Sequence, residues 1–307
     1  MVLYKLILIK FMYNYYILLL YIYFFLIKLL YIFFLLICIM NIGIIGLGFV
    51  GKAILQSFKI FDINTITFDK YKNIGNFNSC LSCDLLFLAL PTLFDEKIQE
   101  FDKTEIIETC KLLQDNNYKG LVILKSTVEP ETTFYLSNKF KNLKILHNPE
   151  FLSAKTAFND FHNQKHIIIG KGPNCNNNDV QIVHDFYKNY YKDSNISICS
   201  SQESESTKLF LNSFYATKIQ FFTELYILCN KNNTNFDNIK NLMLKNQWID
   251  HMHTNVPGSD GKISYGGLCF PKDTKALNSY MKKYNSNNLI LDSSIKERDY
   301  LRNDNLL

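Results

Sequence analysis

The sequence predicts an α/β protein in which a doubly wound sheet is followed by a helical domain with one long central helix. Short apolar runs alternate with helical patterns over residues 40–200, and such runs are typical of strands buried on both faces of a sheet. Residues 202–231 then show a helical pattern with too many apolar positions for one stripe, which indicates a helix buried on most of its sides. We expect a sheet domain over residues 40–200, a helical domain over residues 201–288 and a tail over residues 289–307.

The first 39 residues form a hydrophobic leader. Between Phe11 and Met40 the only charged side chain is Lys28, and the apolar run exceeds the ~20 residues that span a bilayer. One interpretation is a membrane helix over residues 16–39, which would anchor the protein. The interpretation we favour is translation from Met40, because a predicted strand begins at the next residue and leaves no linker. The expected location is then cytoplasmic.

The composition argues against a nucleic-acid partner and a metal site. The net charge of +5 comes mostly from scattered lysines, so no dense basic cluster predicts a nucleic-acid interface. Cys80 and Cys83 form a C-x-x-C pair, but no second pair accompanies them as a structural zinc site requires. We therefore predict no metal site and expect the cysteines to be reduced thiols.

A glycine-rich turn follows the first predicted strand. Residues 46–51 read Gly-Leu-Gly-Phe-Val-Gly, a G-x-G-x-x-G motif between a strand and a helix. In this context the glycines form a tight turn, admit a pyrophosphate and let the helix pack on the strand, while the helix N-terminus faces the phosphates. The second strand ends in Asp69, where a carboxylate can bind ribose hydroxyls, and no Arg follows to bind a 2′-phosphate. These features predict a Rossmann-type NAD site. Its predicted contacts are Gly46, Gly48, Phe49, Val50, Gly51 and Asp69.

Polar residues or glycine follow the later apolar runs of the sheet. Thr92, Thr127, Glu150 and Gly170 each come at or shortly after the end of a run. Ligands of open α/β sheets bind at the carboxyl ends of the strands. We therefore expect a ligand site at these strand ends.

Two polar residues stand on the predicted long helix. Lys208 and Asn212 are four residues apart and so share a helix face. A lysine and an asparagine together can donate hydrogen bonds to a developing oxyanion. From this segment alone, a solvated surface pair is the simpler interpretation.

The segment with the strongest chemical signal is residues 264–273, which read Ser-Tyr-Gly-Gly-Leu-Cys-Phe-Pro-Lys-Asp. Pro271 suits the first turn of a helix, so Cys269 is expected at the N-terminal end of that helix. The helix dipole and Lys272 are expected to favour the thiolate, and Asp273 shares the cysteine's face as a candidate base. The alternative is a buried structural cysteine in a glycine-rich turn.

Five motifs in this order resemble the UDP-glucose/GDP-mannose dehydrogenase family. The resemblance covers residues 40–275. The motifs lie at residues 46–51, 125–128, 148–152, 206–212 and 266–273. The family oxidises a sugar C6 alcohol to a carboxylate in two steps with NAD, so the resemblance implies conversion of UDP-glucose to UDP-glucuronate or a close relative.

The resemblance also implies a role for each motif residue. Cys269 would attack the aldehyde, and oxidation of the thiohemiacetal would leave a thioester. Lys208 and Asn212 would stabilise oxyanions, Asp273 and Thr127 would hold water and relay protons, and Glu150 would assist hydrolysis. Thr92, Thr127 and Lys272 would lie near the cofactor. The implied substrate contacts are Glu150, Phe151, Leu152, Lys208, Asn212, Gly266 and Gly267.

The sequence departs from the family pattern in three places. Residues 153–155 read Ser-Ala-Lys where the family usually has Glu-Gly. No Arg precedes the cysteine loop, where family members often supply one across a dimer, and His251 or His253 is the nearest substitute. The chain ends at Leu307, before the C-terminal nucleotide-binding domain that the family usually carries.

These features leave two alternatives to an active nucleotide-sugar dehydrogenase. One is a non-catalytic NAD-binding remnant or partner subunit, motivated by the leader and the missing third domain. The other is a β-hydroxyacid dehydrogenase, which shares a related architecture but has no need of Cys269. For an active dehydrogenase, the family and the long helix together imply a homodimer.

Overall fold

The computed structural model describes residues 12, 16, 17, 19–28 and 40–302. By its internal contacts the chain divides into two units, Met1–Asn41 and Ile42–Leu307. In the first unit, residues 19–28 are helical and exposed. Among the described residues, no helix has the length and apolar character to span a membrane. The predicted membrane helix continues through residues 29–39, which lie outside the described residues.

The second unit contains a seven-stranded sheet with the order β2-β1-β3-β6-β7-β8-β9. Neighbouring strands from β2 to β7 are parallel, and β1, β3 and β6 are completely buried, as their apolar runs predict. The strands are β1 (Ile42–Ile45), β2 (Thr65–Phe68), β3 (Leu85–Leu88), β4 (Phe94–Asp95), β5 (Glu100–Phe101), β6 (Leu121–Leu124), β7 (Lys144–His147), β8 (His166–Lys171) and β9 (Asn195–Ser200); β4 and β5 form a separate hairpin.

Two neighbouring strands, β8 and β9, run against the expected direction. β8 is antiparallel to β7, with His147 paired to Gly170, and β9 is parallel to β8. Gly170 therefore lies beside His147, the last residue of β7, although β8 runs in the opposite direction to β7. The sequence does not predict this reversal, because an apolar run does not encode the direction of its strand. That Gly170 belongs to a ligand site at the strand ends stays a prediction.

Helices cover the sheet and continue beyond it. The first six are α1 (Phe49–Ile60), α2 (Phe77–Cys80), α3 (Thr104–Asp115), α4 (Thr132–Lys139), α5 (Ala157–His162) and α6 (Asn177–Tyr190). The helical region contains α7 (Ser201–Lys231), α8 (Phe236–Leu244), α9 (Phe270–Lys283) and α10 (Leu289–Leu301). The predicted α/β architecture, with a Rossmann-type sheet and one long helix, is confirmed.

The long helix α7 has 31 residues and begins with a capping box. The Ser200 hydroxyl accepts a hydrogen bond from the Glu203 N–H, and the Glu203 carboxylate accepts one from the Ser200 N–H. Both bonds satisfy groups that a helix start leaves unpaired. The helix thus begins directly after β9, so sheet and helical region meet without a linker.

The residues predicted as a separate tail belong to the helical region. α10 packs against α7 and α9, and its Arg298 is buried. The predicted boundary at residue 289 therefore does not separate a tail from the fold. Likewise, residues 42–302 lie in one compact unit, so the boundary at residue 200 marks a change from sheet to helices within it.

The C-x-x-C pair belongs to the hydrophobic core. Cys80, Cys83 and Cys110 are free, buried thiols packed with aliphatic side chains of β3, β6 and α3. Burial raises the pKa of Cys80 to about 11 and that of Cys83 to about 12, the latter with smaller contributions from Cys80 and Asp84. These thiols are therefore protonated, structural groups.

Candidate functional site

The glycine turn after β1 brings backbone atoms close together. Gly46 has a positive φ of 89°, and a Cβ there would overlap the carbonyl of Ala89. A Cβ at Gly51 would overlap the Gly46 carbonyl, so this glycine lets α1 pack on the turn. In contrast, a Cβ at Gly48 would have none of the described atoms within 4 Å. The turn is therefore closed towards the protein and open at Gly48, as the approach of a pyrophosphate requires.

Asp69 lies directly behind this turn. Its carboxylate accepts the Leu47 N–H at 2.8 Å and the Tyr71 and Lys72 N–H groups at 3.1 and 3.0 Å. Burial alone would raise the pKa of Asp69, but these N–H donors and the Lys72 ammonium, 3.6 Å away, outweigh burial and lower it. The ionised carboxylate is a suitable acceptor for ribose hydroxyls. Lys72, whose ammonium also donates to the Leu47 carbonyl, belongs to no motif and was not predicted.

The ends of β3 and β6 are bound to each other at the edge next to the turn. The Thr92 hydroxyl donates to the Thr127 carbonyl at 2.7 Å. The Ser126 hydroxyl accepts the Leu90 N–H at 2.9 Å and donates to the Leu90 carbonyl at 2.7 Å. Because β1, β3 and β6 are adjacent and parallel, Thr92 and Thr127 lie on the same edge of the sheet as the glycine turn.

A buried ion pair joins the sheet to α7. The Lys208 ammonium is 3.2 Å from the Glu150 carboxylate, and both side chains are more than nine-tenths buried. The ammonium also lies 5.3 Å from the centre of the Phe151 ring. The second Glu150 oxygen accepts the Leu152 N–H at 2.6 Å, which fixes the carboxylate. The interpretation of Lys208 and Asn212 as a solvated surface pair is wrong, since both are buried.

A second ion pair, Lys272 with Asp273, lies within α9, and Asp273 also joins this helix to α7 through Asn212. The fully buried Asp273 carboxylate accepts the Asn212 amide at 2.6 Å with one oxygen and the Lys272 ammonium at 2.6 Å with the other. Lys272 in turn lies 4.4 Å from the centre of the Phe101 ring on β5. Loss of either charge would leave the other without its partner in a largely buried place, which is strongly destabilising. The contacts with Asn212 and Lys272 thus fix the position of the Asp273 carboxylate.

Cys269 is the N-cap residue of α9, with Pro271 in the first turn as predicted. Burial raises the pKa of its thiol, and the Asp273 and Glu150 carboxylates add to this effect. The Lys272 and Lys208 ammonium groups oppose it only in part. Lys272 favours the thiolate, as predicted, but burial and the two carboxylates outweigh it. Both ion pairs therefore act electrostatically on the sulfur. The effect of the helix end on the thiol stays a prediction.

The remaining predicted residues differ in their exposure. Phe151 is partly exposed, and Gly267 is exposed with a positive φ of 79°. His251 is exposed, whereas the His253 ring lies 4.7 Å from that of Tyr215 and 5.5 Å from that of Phe270. His253 thus packs against Phe270, the residue after Cys269, and burial lowers its pKa. That either histidine replaces an arginine across a dimer stays a prediction.

Lys125 is a buried residue of the site. The sequence analysis identifies it only as part of the motif at residues 125–128. Its ammonium donates to the Asn148 amide oxygen at 2.8 Å and to the Pro149 carbonyl at 3.2 Å, just before Glu150. Burial lowers its pKa to about 7; the Lys208 charge adds to this effect, and the Glu150 charge opposes it. A lysine directly after a run of four buried apolar residues is unusual, and that signal was available.

Together, the glycine turn, the ionised Asp69 and the parallel strand order define a dinucleotide-binding protein of the Rossmann type. Residues 71–191 match the NAD binding domain of the UDP-glucose/GDP-mannose dehydrogenase family, and residues 202–298 match its central domain. The chain belongs to this family. The prediction of NAD as cofactor is confirmed by the same match.

The relatives share about half their length with this chain. UDP-glucose 6-dehydrogenase of Campylobacter jejuni is 32% identical over 198 residues, which cover 64% of this chain and 48% of that protein. The structure of a UDP-glucose dehydrogenase from Pyrobaculum islandicum shares the fold, with a TM-score of 0.75 and 20% identity over 85% of this chain and 68% of that one. A 3-hydroxyisobutyrate dehydrogenase of Mycobacterium tuberculosis also shares the fold, with a TM-score of 0.67 and 12% identity over 86% and 94% of the two chains.

Proposed function

We propose that this chain is an NAD-dependent nucleotide-sugar dehydrogenase that oxidises the C6 alcohol of UDP-glucose to a carboxylate through a Cys269 thioester. The single observation that carries the proposal is the arrangement around the sulfur. A buried ion pair, Glu150 with Lys208, and a partly buried one, Asp273 with Lys272, act on one thiol at a helix N-terminus. A buried structural cysteine has no need of four charged neighbours, and burying them is costly.

The thiol begins as the protonated form, since its pKa is raised. When the sulfur forms a bond to the aldehyde carbon, its proton must leave for a base. The Asp273 and Glu150 carboxylates are the anionic neighbours of the sulfur and are candidates for this role. The carbonyl oxygen becomes an oxyanion in the same step, and nearby cations stabilise this oxyanion.

Lys208 is suited to stabilise the oxyanion. Its ammonium has three N–H donors, and the contact with Glu150 uses one side of it. The Asn212 amide is held by Asp273 at 2.6 Å and can direct its second N–H into the site. Because both groups are fixed before the substrate binds, they need no reorganisation when charge develops.

When bound, NAD would accept a hydride from the sugar carbon in each of the two oxidations. The glycine turn and Asp69 would hold its pyrophosphate and ribose, and Thr92 and Thr127 would contact the end nearer the cysteine. After the second oxidation, water attacks the thioester carbon, the carbon–sulfur bond breaks and the sulfur regains a proton. Glu150 and Asp273 would orient this water and accept its proton.

A homodimer through α7 completes the proposal. Four large apolar side chains on this helix are exposed, and their spacing of four and then seven residues places them on one face. They are Phe210, Phe214, Phe221 and Leu228. A second copy of the chain would bury this face. Phe221→Glu should give monomers in light scattering if α7 forms the interface, and an unchanged oligomeric state would reject that interface.

Turnover of UDP-glucose tests the proposal. The wild-type chain should form two NADH for each UDP-glucuronate. Cys269→Ser should lower kcat by about 1,000-fold or more, as for loss of a covalent nucleophile. Cys199→Ser, at a half-buried thiol on β9, is the matched control and should retain activity. Absence of turnover with UDP-glucose and other nucleotide sugars, despite NAD binding, would support a non-catalytic NAD-binding protein instead.

A further inference from the structure

The only two arginines of the chain, Arg298 and Arg302, lie in and just after the last turn of α10, and both are buried. Their exposed fractions are 5% and 7%. Arginine is rarely buried to this degree unless its guanidinium has specific partners, because transfer of a charge from water is costly. The partners of these two side chains therefore indicate what the arginines are for.

Both guanidinium groups donate to the backbone of the loop that leads to Cys269. Arg298 Nε donates to the Tyr265 carbonyl at 3.3 Å. Arg302 Nη1 donates to the Ser264 carbonyl at 3.1 Å and the Ile263 carbonyl at 3.4 Å. Three consecutive carbonyls, at residues 263–265, are thus held from one side by α10.

The other amino group of Arg302 binds the beginning of the same loop. Arg302 Nη2 lies 2.5 Å from the Asp260 carboxylate, and this pair lowers the pKa of Asp260. A planar guanidinium can hold a carboxylate and two carbonyls at fixed angles, which an ammonium cannot do. Arg302 thereby joins residue 260 to residues 263 and 264 and closes the loop on itself.

The loop also rests directly on the guanidinium. A Cβ at Gly266 would overlap the Arg302 guanidinium, so the glycine permits this close packing. Ser264 and Gly267 both have positive φ, and the cysteine follows two residues after Gly267. A non-glycine residue such as Ser264 reaches this conformation only when its surroundings enforce it. Its N–H and hydroxyl are also held by Thr223 and Gln220 of α7.

We propose that Arg302, supported by Arg298, is a positioning residue that fixes the backbone of the cysteine loop and so holds the Cys269 sulfur between Lys208 and Asp273. This inference rests on the proposed function and deepens it. It assigns a role in the reaction to α10. Without the Arg302 guanidinium, the loop would retain its two contacts with α7 and the bond from Arg298 to Tyr265, but it would lose its bonds at residues 260, 263 and 264. The sulfur would then move outward towards solvent.

Two variants of Arg302 and one control separate this role from others. Arg302→Gln removes the charge and most of the donors. Arg302→Lys keeps a cation for Asp260 but loses the fork that binds the two carbonyls. Lys296→Gln removes a cation from the same helix, where Lys296 is exposed and paired with Asp292. It should match the wild type in every measurement.

Alkylation of Cys269 by iodoacetamide measures the position of the sulfur without requiring turnover. The tryptic peptide of residues 263–272 contains Cys269 and no other cysteine. In the folded wild type, the raised pKa of the thiol should make its alkylation slow at neutral pH. In Arg302→Gln, an outward movement should shift the alkylation pH profile to lower pH and raise the neutral rate by about tenfold.

Turnover should change in the opposite direction. A misplacement of about 1 Å in a reacting group lowers kcat by about 100-fold, so Arg302→Gln should lower kcat by about 10- to 100-fold while the Kd for NAD stays unchanged. Arg302→Lys should resemble Arg302→Gln, because the carbonyl contacts are lost in both. If Arg302→Lys behaves as the wild type, Arg302 serves only to neutralise Asp260 and the proposal is wrong.

Two further outcomes would overturn the proposal. One is an alkylation rate of Cys269 within about twofold of the wild-type rate across the pH range in both variants. The position of the loop would then not depend on the Arg302 guanidinium. The other is an equal rise in alkylation at the core thiols Cys80 and Cys110, which would show a general loosening of the fold. A wild-type chain without turnover would refute the proposed function alone, because the alkylation profiles would still decide the role of Arg302.

Discussion

The NAD-binding turn and the cysteine centre lie at neighbouring parts of one compact unit, but they are built in different ways. The turn is made of backbone within residues 46–51, completed by Asp69, and each glycine acts on atoms nearby in sequence or in the adjacent strand. The cysteine centre is made of side chains from Glu150, Lys208, Asn212 and Asp273 on three separate segments. A local motif can specify the first kind of site, whereas the second depends on the packing of distant elements.

The largest effect is expected from the group that holds the cysteine centre together. Asp273→Asn should lower kcat by about 1,000-fold or more, because it removes a candidate base and leaves Lys272 without a counter-charge. The Kd for NAD should change little, since the glycine turn is untouched. A steady-state comparison with an NAD titration checks both values.

The control for Asp273→Asn is Asp292→Asn. Asp292 lies on α10 and pairs with Lys282 and Lys296 at the surface. This variant should retain wild-type turnover. If Asp273→Asn were fully active, or if it weakened NAD binding as much as turnover, the separation of the two sites would be wrong.

The glycine turn offers a matched pair of substitutions with a different signature. Gly48→Ala should raise the Kd for NAD by about 10- to 100-fold with little change in stability, because the added methyl occupies the approach of the pyrophosphate. Gly51→Ala should instead lower the free energy of unfolding by about 2 kcal/mol or more, because its Cβ would overlap the Gly46 carbonyl.

NAD titration and urea denaturation of both glycine variants check this pair. Equal losses of stability in Gly48→Ala and Gly51→Ala would show that Gly48 serves packing, and would remove the argument that the turn is open for a ligand. A Gly48→Ala variant that is stable and binds NAD normally would place the pyrophosphate elsewhere.

The same contrast explains how much the sequence predicts. The helix α7 was predicted at residues 202–231 and is observed at Ser201–Lys231, because its apolar pattern and its capping residues Ser200 and Glu203 are local. The contacts with NAD stay a prediction, but the tight glycine turn at residues 46–51 was likewise predicted. The direction of β8 was not, since it depends on how the chain crosses the sheet.

The errors at the cysteine centre have the same origin. The thiol was expected to ionise easily from its position at a helix start and beside Lys272. Its pKa is raised first by burial, then by Asp273 on the same helix and by Glu150, which is far away in sequence. Arg298 and Arg302 were assigned to a tail, since no pattern within residues 289–307 shows that α10 packs back on the cysteine loop.

A smaller effect is expected where α7 joins the sheet domain. The buried Glu205 carboxylate accepts the Glu131 and Thr133 N–H groups at 2.8 and 2.7 Å. Burial raises its pKa to about 7, opposed by the bonds from Thr133 and Glu131. A raised folded-state pKa means that the folded protein retains the proton more strongly than the unfolded one. The resulting stability is present below pH 4.5, the ordinary value, and is lost as pH rises through about 7.

Urea denaturation across this range checks the sign. The free energy of unfolding of the wild type should fall by roughly 1–3 kcal/mol as the group ionises, and Glu205→Gln should reduce that slope. Glu203→Gln is the control two residues away. There, bonds from Ser200 lower the pKa, so its contribution is present above pH 4.5 and lost as pH falls. Equal slopes in Glu205→Gln and the wild type would show that Glu205 does not titrate in this range.

The smallest effect is expected at an exposed contact between the two regions. The Lys155 ammonium donates to the hydroxyl and carbonyl of Ser259 at 3.2 and 3.4 Å, which links the segment after Glu150 to the loop that Arg302 holds. Exposed polar contacts of this length contribute about 0.5 kcal/mol or less, so Lys155→Ala should leave stability unchanged. Any effect should be a rise of about twofold in KM for the nucleotide sugar, with kcat unchanged, since Lys155 touches the loop far from Cys269 in sequence. A fall in kcat would instead mean that Lys155, in the segment after Glu150, helps to position the Cys269 sulfur in addition to α10.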